Sequence, residues 1–212
     1  DPDVTADDYR EIFKEMEQWF EKVRESSSYM SDIITAIKGQ AANVNTNVDA
    51  TFTTEELIKR SMLLMRHELM SSGSRVITET EENCTYTIRG DVNNLVQVLN
   101  NLLSNAIYSQ KQVGGGDIVI GVKKDEDNLK IYVKDTGTGI SAGVKERLFR
   151  AMVTNKGAHG TGLGLYISDA VVKGKFGGNM WVEDNPEGGA IVGVSIPLSE
   201  VQEEKTGKNK GD

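Results

Sequence analysis

A stripe of apolar residues along the first 45 positions is the feature that most constrains how this chain can fold. Apolar side chains recur there in steps of three and four, the spacing of one helix face and of a coiled-coil seam. The stripe consists of Tyr9, Ile12, Met16, Trp19, Val23, Met30, Ile33, Ile37 and Val44. A single helix cannot bury such a stripe against itself. The sequence therefore predicts a long helix over residues 1–46 that packs against a partner helix.

From residue 47 onward the pattern changes to short strands and capped helices. Strands are predicted at 76–78, 86–88, 117–122, 129–133, 179–183 and 190–197. Helices are predicted from the caps Thr53 (through Met65, closing at Gly73) and Asp91 (through Gln110), and over 142–149 and 163–173. Because several strands follow one another as hairpins, the predicted fold is α+β: a two-layer α/β sandwich, with a mixed, mostly antiparallel sheet and helices on one face. This domain is predicted to end at residue 198, and the charged residues 199–212 are predicted to form a disordered tail.

Composition narrows the class of protein. The 212 residues include 24 Lys and Arg against 32 Asp and Glu, a net charge of −8, which argues against general nucleic-acid binding. The one cysteine, Cys84, excludes an internal disulfide framework and fits a reducing compartment. No apolar run approaches the roughly 18 residues of a membrane span. We therefore expect a cytoplasmic domain, whether or not the full-length protein is anchored to a membrane.

Asn101 and Asn105 lie four residues apart and therefore share one face of the apolar helix that begins after Asp91. An asparagine amide has four hydrogen-bonding sites to satisfy, so two of them in apolar surroundings are costly without partners. Taken alone, the pair is more typical of ordinary surface amides than of a binding site.

A loop with one carboxylate and two glycines, Asp135-Thr136-Gly137-Thr138-Gly139-Ile140, follows the strand that ends at Val133. Glycines at a strand end let the backbone approach a flat ligand, and the carboxylate can accept a hydrogen bond from an amino group. The segment also matches the Gly-x-Gly-x-x-Ala dinucleotide fingerprint. That alternative fails, because no Asp or Glu lies about twenty residues further on to hold a ribose hydroxyl.

Gly160, Gly162 and Gly164 alternate along the chain and lead directly into a predicted helix, with Lys156 just upstream. Alternating glycines free main-chain N–H groups to point at an anion, and a helix N-terminus favours negative charge. A flexible hinge is the simpler interpretation, although it does not explain why the glycines alternate.

The order and spacing of these three motifs are far more specific than any one of them. Residues from about 53 to 198 resemble the catalytic ATP-binding domain of bacterial sensor histidine kinases. That family belongs to the ATPase superfamily with the Bergerat fold, shared with gyrase, a heat-shock chaperone and the MutL repair proteins. Leu148-Phe149-Arg150 and Thr154-Asn155-Lys156 resemble the phenylalanine-bearing box and the threonine–lysine segment of that family's lid.

The resemblance implies ATP and Mg²⁺ as bound groups and a role for each matching residue. Asn105 matches the asparagine that holds Mg²⁺, Asp135 matches the carboxylate that accepts from the adenine amino group, and Lys156 would reach the terminal phosphates. The catalytic residues implied are Asn101, Asn105 and Lys156. The ATP-binding residues implied are Asn101, Asn105, Tyr108, Asp135, Gly137, Gly139, Ile140, Phe149, Thr154, Lys156, Gly160, Thr161, Gly162, Leu163, Gly164 and Leu165.

Three positions differ from patterns common in the superfamily. Tyr108 stands where many histidine kinases carry a basic residue, and Gly188-Gly189-Ala190 replaces a closing glycine–threonine pattern. Asn101 stands where the hydrolytic members place a glutamate base, and a neutral amide cannot take a proton from water. The resemblance therefore favours kinase chemistry over hydrolysis.

Neither histidine fits the phosphoacceptor of a histidine kinase. His67 is followed by Glu68 but by no proline, and a cation at a helix C-terminus is its expected role. His159 lies within the predicted lid. The heptad helix resembles the second helix of a dimerisation hairpin, so the first helix and its histidine are expected upstream of residue 1.

The sequence therefore predicts the catalytic domain of a two-component protein-histidine kinase. It would transfer the γ-phosphoryl group of ATP to a histidine on the dimerisation domain, from which a response regulator receives it. The expected partners are that dimerisation helix, the response regulator and a second copy in a homodimer, with no nucleic acid. Two alternatives are a nucleotide-binding module without kinase activity and a protein-serine kinase like the anti-sigma factors, although the heptad arm argues against the second.

Overall fold

The computed structural model describes residues 7, 9–20, 23, 50–81, 84–149 and 163–205. The helices are α1 (9–20), α2 (Thr54–Leu64), α3 (Arg66–Ser72), α4 (Val92–Lys111), α5 (Ala142–Lys145) and α6 (Leu163–Phe176). The strands are β1 (Thr51–Thr53), β2 (Arg75–Thr80), β3 (Cys84–Arg89), β4 (Asp117–Lys124), β5 (Asn128–Lys134), β6 (Asn179–Asp184), β7 (Ala190–Pro197) and β8 (Val201–Lys205). Across these ranges, every helix is too short or too polar to span a lipid bilayer.

A five-stranded sheet with the order β2-β4-β5-β7-β6 forms the centre of the domain. Only β2 and β4 are parallel, and the other neighbouring strands are antiparallel. In β5, Leu129, Ile131 and Val133 are buried, whereas Lys130 and Tyr132 between them are half-buried. This alternation directs one face of the sheet into the hydrophobic core and leaves the other face to polar and aromatic side chains. The predicted α+β fold, with a mixed, mostly antiparallel sheet, is confirmed.

Helix α4 is the helix around which the core is assembled. Its predicted N-cap is confirmed, because the Asp91 carboxylate accepts a hydrogen bond from the main-chain N–H of Asn93 at 2.9 Å. Its buried residues recur every three or four positions and contact α2, α6 and β5. The largest of them are Leu95, Leu99, Leu102, Leu103 and Ile107. One side of α4 is therefore committed to the core, and the other side is available for a site.

A second sheet, with the order β1-β3-β8, corrects the prediction of a disordered tail from residue 199. Residues Leu198–Glu200 form a 3-10 turn, and β8 pairs with β3 over five positions, with Val201 opposite Ile88. Strand pairing uses main-chain groups, so the charged composition of this segment did not reveal it. The Lys124 ammonium also contacts the Glu203 carboxylate at 2.5 Å, which ties β8 to the central sheet. Residues 206–212 of the predicted tail lie outside the described residues.

Two predicted helices differ in detail from what the sequence indicated. The first is capped by Thr53 as predicted, with the main-chain N–H of Glu56 donating to its hydroxyl at 3.1 Å, and the segment closes at Gly73 as predicted, with a φ of 67°. A turn at Met65, whose ψ of 0° is not helical, divides it into α2 and α3. His67 therefore lies in the first turn of α3 rather than at a helix C-terminus, so the role predicted for it is wrong. The helix predicted over 142–149 ends at Lys145 and continues as a tight turn.

The long N-terminal helix is described only in part. Residues 7, 9–20 and 23 are helical, and the described apolar side chains of the stripe are exposed, among them Trp19 at 65%. The other residues of the predicted range 1–46 lie outside the described part of the chain.

Candidate functional site

Asp135 lies directly after β5, where the main chain leaves the sheet beneath the C-terminal end of α4. Its side chain is 6% exposed, and the main-chain N–H of Gly137 donates to its carboxylate at 2.9 Å. Its own backbone is held from the β6–β7 turn: its N–H donates to the Ala190 carbonyl at 2.9 Å, and its carbonyl accepts from Asn185 Nδ2 at 2.8 Å. The carboxylate is thus buried on a rigid support.

Burial raises the pKa of the Asp135 carboxyl above its ordinary value, while hydrogen bonds from Gly137 and Ser109 act in the opposite direction. The folded protein therefore binds this proton more tightly than the unfolded chain does. The stabilisation of the folded state by this tighter proton binding is lost as the pH rises from the ordinary carboxyl range through the raised pKa of Asp135. Above the raised pKa, the free energy of unfolding no longer changes with pH because of this group. Keeping Asp135 ionised at neutral pH costs stability, which is typical of a functional rather than a structural carboxylate.

The glycines around Asp135 are required by close backbone contacts. A Cβ atom on Gly137 would lie 2.1 Å from Ser109 Oγ, and one on Gly189 would lie 2.3 Å from the Asp135 carbonyl oxygen. Gly139 has a φ of +71°, and its Cβ position lies 3.2 Å from the Gly189 carbonyl. These contacts pack the Asp135 loop closely against α4 and against the β6–β7 turn. Glycine is needed at these three positions because it has no side chain to collide there.

Ser109 and Gln110 are site residues that sequence reasoning missed. Ser109 Oγ accepts the N–H of Thr138 at 2.9 Å. The Gln110 side chain is fully buried, and its Nε2 donates to the Asp117 carbonyl at 3.0 Å and to Thr136 Oγ1 at 2.9 Å. The end of α4 therefore holds the loop that carries Asp135. Ser109 continues the four-residue spacing of Asn101 and Asn105, and that spacing is the signal that could have identified it.

Asn101 connects α4 to the first turns of α6. Its Nδ2 donates to the Gly164 carbonyl at 3.3 Å and to Ser168 Oγ at 3.1 Å. Asn105, one turn later, is half-buried, and its side chain makes no hydrogen bond within the described part of the chain. Tyr108 is 36% exposed.

Asn101, Asn105 and Ser109 together form a polar strip along α4, which we call the α4 polar strip. From its first to its last residue the strip rises through eight residue steps, or about 12 Å at 1.5 Å per residue. The Asp135 loop touches one end of the strip, and the N-terminal turn of α6 touches the other. The amide of Asn105 lies between them, and its side chain makes no hydrogen bond to any residue that the structure describes. This geometry suits an elongated polar ligand that lies along the helix.

The remaining predicted site residues divide into two groups. Ile140, Phe149 and Leu165 are partly buried and pack against the hydrophobic core, and Gly164 lies in the first turn of α6 against Asn101. Leu163 is the first residue of α6. Thr154, Lys156, Gly160, Thr161, Gly162 and His159 lie outside the described residues, so their predicted roles stay predictions.

A family model described as "Histidine kinase-, DNA gyrase B-, and HSP90-like ATPase" matches residues 90–200, more than half of the chain. The chain belongs to this ATPase family. The match begins just before α4 and includes Asp135, the β6–β7 turn and α6, so all described parts of the candidate site lie inside it.

Curated relatives of this ATPase domain are sensor kinases. The chain is 30% identical to sporulation kinase A of Bacillus subtilis over 181 residues, which cover 85% of this chain and 29% of the relative. It is 28% identical to the sensor protein TorS of Escherichia coli over 80% of this chain and 18% of the relative. It is 38% identical to the sensor histidine kinase RcsC of Escherichia coli over 56% of this chain and 12% of the relative. The chain thus spans less than a third of each of these three proteins.

Solved structures of histidine kinases share the fold. The nucleotide-free catalytic domain of histidine kinase ThkA superposes with a TM-score of 0.61 at 27% identity, over 73% of this chain and 96% of that one. Full-length ShkA in complex with AMPPNP superposes with a TM-score of 0.70 at 22% identity, over 92% of this chain and 39% of that one. The ThkA match thus spans nearly the whole of that catalytic domain.

Two adjacent glycines provide a test of the backbone packing beside Asp135. Gly188 and Gly189 both have positive φ, but a Cβ on Gly188 meets nothing within 4 Å. Gly188→Ala should lower the free energy of unfolding only by the cost of the left-handed conformation, about 1–2 kcal/mol. Gly189→Ala should lose about 1–3 kcal/mol more, because its methyl group would collide with the Asp135 backbone. Urea unfolding of both variants measures the difference, and equal losses would contradict the packing described.

Proposed function

We propose that this domain binds Mg·ATP along the α4 polar strip and transfers the γ-phosphoryl group to a histidine of a dimerisation domain. The observation that carries the proposal is the order of groups along the strip. A buried carboxylate with glycine-rich surroundings lies at one end, an amide with no hydrogen-bond partner among the described residues lies in the middle, and the glycine-flanked start of α6 lies at the other end. That order matches the base, the metal-bridged phosphates and the terminal phosphate of a nucleoside triphosphate.

At the base end, Asp135 would accept a hydrogen bond from the adenine amino group. The Gly137 N–H that donates to Asp135 Oδ1 orients the carboxylate, whose two oxygens together offer about four acceptor sites, so it can also accept from a ligand. Gly137 and Gly139 would shape the base pocket by letting the loop pack against Ser109 and Gly189, which holds the carboxylate beside the base. A charged acceptor on a rigid support gives adenine recognition most of its strength.

The residues at the middle of the strip fit a magnesium ion held mainly by phosphate. The described residues contain no group of three or more His, Cys, Asp or Glu side chains placed to hold a metal. Mg²⁺ commonly takes one or two protein oxygens and completes its shell with phosphate oxygens and water. The amide oxygen of Asn105 is such a ligand and has no competing partner in the described structure. The bound ion would neutralise charge on the triphosphate.

At the phosphate end, we assign the lid roles to residues before and within the start of α6. Gly160, Gly162 and Gly164 would present main-chain N–H groups to the phosphates, and Lys156 would reach the terminal one. The N-terminus of α6, a helix of 14 residues, adds a favourable field for negative charge. Phe149, Thr154, Thr161, Leu163 and Leu165 would shape the lid around this end.

The residue at the start of the strip favours transfer over hydrolysis. Asn101 donates its N–H₂ group to Gly164 and Ser168, so its amide is engaged in joining α4 to α6. A neutral amide in that state cannot activate water as a general base. Transfer then depends on positioning and charge stabilisation: the phosphoryl group passes from ATP to an imidazole nitrogen, and ADP leaves.

The acceptor and the partners follow from this proposal. We place the acceptor histidine on a dimerisation helix outside this chain, with residues 1–46 as the second helix of that hairpin. A homodimer would bring the two together, and a response regulator in the cytoplasm would receive the phosphoryl group. His67, on the short helix α3, is exposed and lies outside the α4 polar strip.

The first prediction concerns Asp135. Asp135→Asn should weaken ATP binding by about 1.5–3 kcal/mol, the range for a charge-assisted hydrogen bond. The same change should not lower the free energy of unfolding at pH 7, because it removes a buried charge whose ionised form burial disfavours. Calorimetric titration measures the affinity and urea unfolding the stability. A variant that binds ATP like the wild type would refute the role of Asp135.

The second prediction concerns Asn105 and magnesium. Asn105→Ala should weaken binding of Mg·ATP much more than binding of metal-free ATP, because only the metal complex uses the amide oxygen. Asn94→Ala, on an earlier turn of α4, is the matched control and should affect neither. Calorimetry with Mg²⁺ and with a chelator gives both affinities. Equal losses in the two conditions would make Asn105 a structural residue only.

A labelling experiment tests the proposed reaction as a whole. With γ-labelled ATP and Mg²⁺, the natural full-length protein should acquire an acid-labile, base-stable phosphate, and this chain alone should not, because transfer requires proximity to the acceptor. Full-length protein that binds ATP without labelling would favour a binding module. Labelling of the isolated chain that His67→Gln abolishes would make His67 the acceptor.

A further inference from the structure

The face of the central sheet that points away from the core carries a row of alternating glycine and aromatic residues. Strand register places Gly121, Tyr132, Gly193 and Trp181 side by side across β4, β5, β7 and β6. None of these residues belongs to the hydrophobic core. Glycine weakens a strand interior, so two of them in one row indicate that something must lie close above the backbone there.

The two aromatic side chains occupy the space that the glycines leave. A Cβ on Gly121 would lie 2.0 Å from Tyr132 Cζ, and one on Gly193 would lie 2.7 Å from Trp181 Cζ2. The rings of Tyr132 and Trp181 have centroids 6.0 Å apart and are tilted by 55°. They form part of the lining of a cavity of about 420 Å³ on this face. A cavity of this size falls in the range of sites for small molecules.

Three lysines, Lys123, Lys130 and Lys134, and two glutamates, Glu183 and Glu187, line the cavity, so its charged lining carries one net positive charge in a chain whose net charge is −8. Lys130 Nζ lies 5.6 Å from the Trp181 ring centroid and 3.0 Å from the Asp125 carboxylate. The Lys134 ammonium is 3.9 Å from Glu79 and 4.0 Å from Glu187, distances too long for hydrogen bonds. Lys123 makes no ion pair within the described residues. In addition, the Trp181 Nε1 donor is buried and finds no acceptor among the residues that the structure describes.

We propose that this cavity is a second binding site, which takes a small anionic ligand with a planar ring, of the chemical class of a free nucleotide. The ring would stack on Tyr132 and Trp181, since every nucleobase has a π-face that an aromatic side chain can meet. The phosphate would replace the long ion pairs of Lys134 with short, charge-assisted hydrogen bonds and would attract Lys130. The site is separate from the α4 polar strip, because it lies on the opposite face of the sheet.

The size of the cavity favours a small molecule over a macromolecule. A stable protein partner needs roughly 1,000 Å² of interface or more, whereas this feature is a single concavity among four strands. A nucleic-acid strand would meet a strongly acidic chain on either side of it. A free nucleotide brings the same ring with one phosphate group, so the acidic chain repels it less.

Fluorescence of Trp181 gives a direct test. The chain has two tryptophans, so in Trp19→Phe the signal comes from Trp181 alone. Guanosine 5′-monophosphate should quench this signal saturably, and guanosine or inorganic phosphate should each bind more weakly. In this background Lys130→Ala with Lys134→Ala should weaken binding at least about tenfold. Lys59→Ala with Lys111→Ala, which removes the same charge from exposed helix positions, should change it less than about twofold.

Three outcomes would overturn the proposal. The first is the absence of saturable quenching up to about 1 mM nucleotide. The second is equal weakening by both lysine pairs, with unchanged melting curves, which would show general charge attraction. The third is tighter binding of a short single-stranded RNA than of the mononucleotide. Asp135→Asn should leave the quenching unchanged, so that failure of the ATP site and failure of this site are distinguished.

Discussion

The packing of α4 on the central sheet is the constraint on which the rest of the structure depends. Its apolar side fills the core between the sheet, α2 and α6, and this burial fixes the rotation of the helix. Once the rotation is fixed, Asn101, Asn105 and Ser109 must lie on another side, in line. The site is therefore a consequence of core packing. If α4 packed on the core with its rotation shifted by one residue, Asn101, Asn105 and Ser109 would no longer face the Asp135 loop and α6. The sequence motifs would be the same, but the site would be lost.

The burial of the Asp135 carboxylate lowers the stability of the folded protein and at the same time provides a charged group for the candidate site. Asp135 is 6% exposed and its pKa is raised, so its ionised form is disfavoured by its surroundings. The N–H of Gly137 offsets part of that cost, and the contacts of Asn185, Ser109 and Gln110 keep the loop from relaxing. A carboxylate held in this way has few other interactions to lose when a ligand arrives. Rigid support of this kind is what makes a single hydrogen bond selective.

The two faces of the central sheet carry different types of residue. The inner face uses aliphatic residues at alternate positions and buries them against helices. The outer face uses glycines with aromatic residues beside them, so that rings lie close over the backbone instead of against another layer. Tyr132 and Trp181 are half-buried there, and three lysines and two glutamates line the same cavity. The same strands thus serve the core on one side and carry a cavity on the other.

The sequence by itself determined the features that depend on local spacing. The caps at Thr53 and Asp91, the paired strands β4–β5 and β6–β7 and the position of Asp135 after β5 were all predictable, because each depends on residues close together in the chain. The tertiary structure alone decided which distant groups meet. The pairing of β8 with β3, the contact of Asn101 with α6 and the hydrogen bond from Gln110 to the Asp135 loop join residues 26 to 121 positions apart. Main-chain pairing and buried hydrogen bonds between distant residues leave little trace in local composition, because they depend on where the folded core brings the chain.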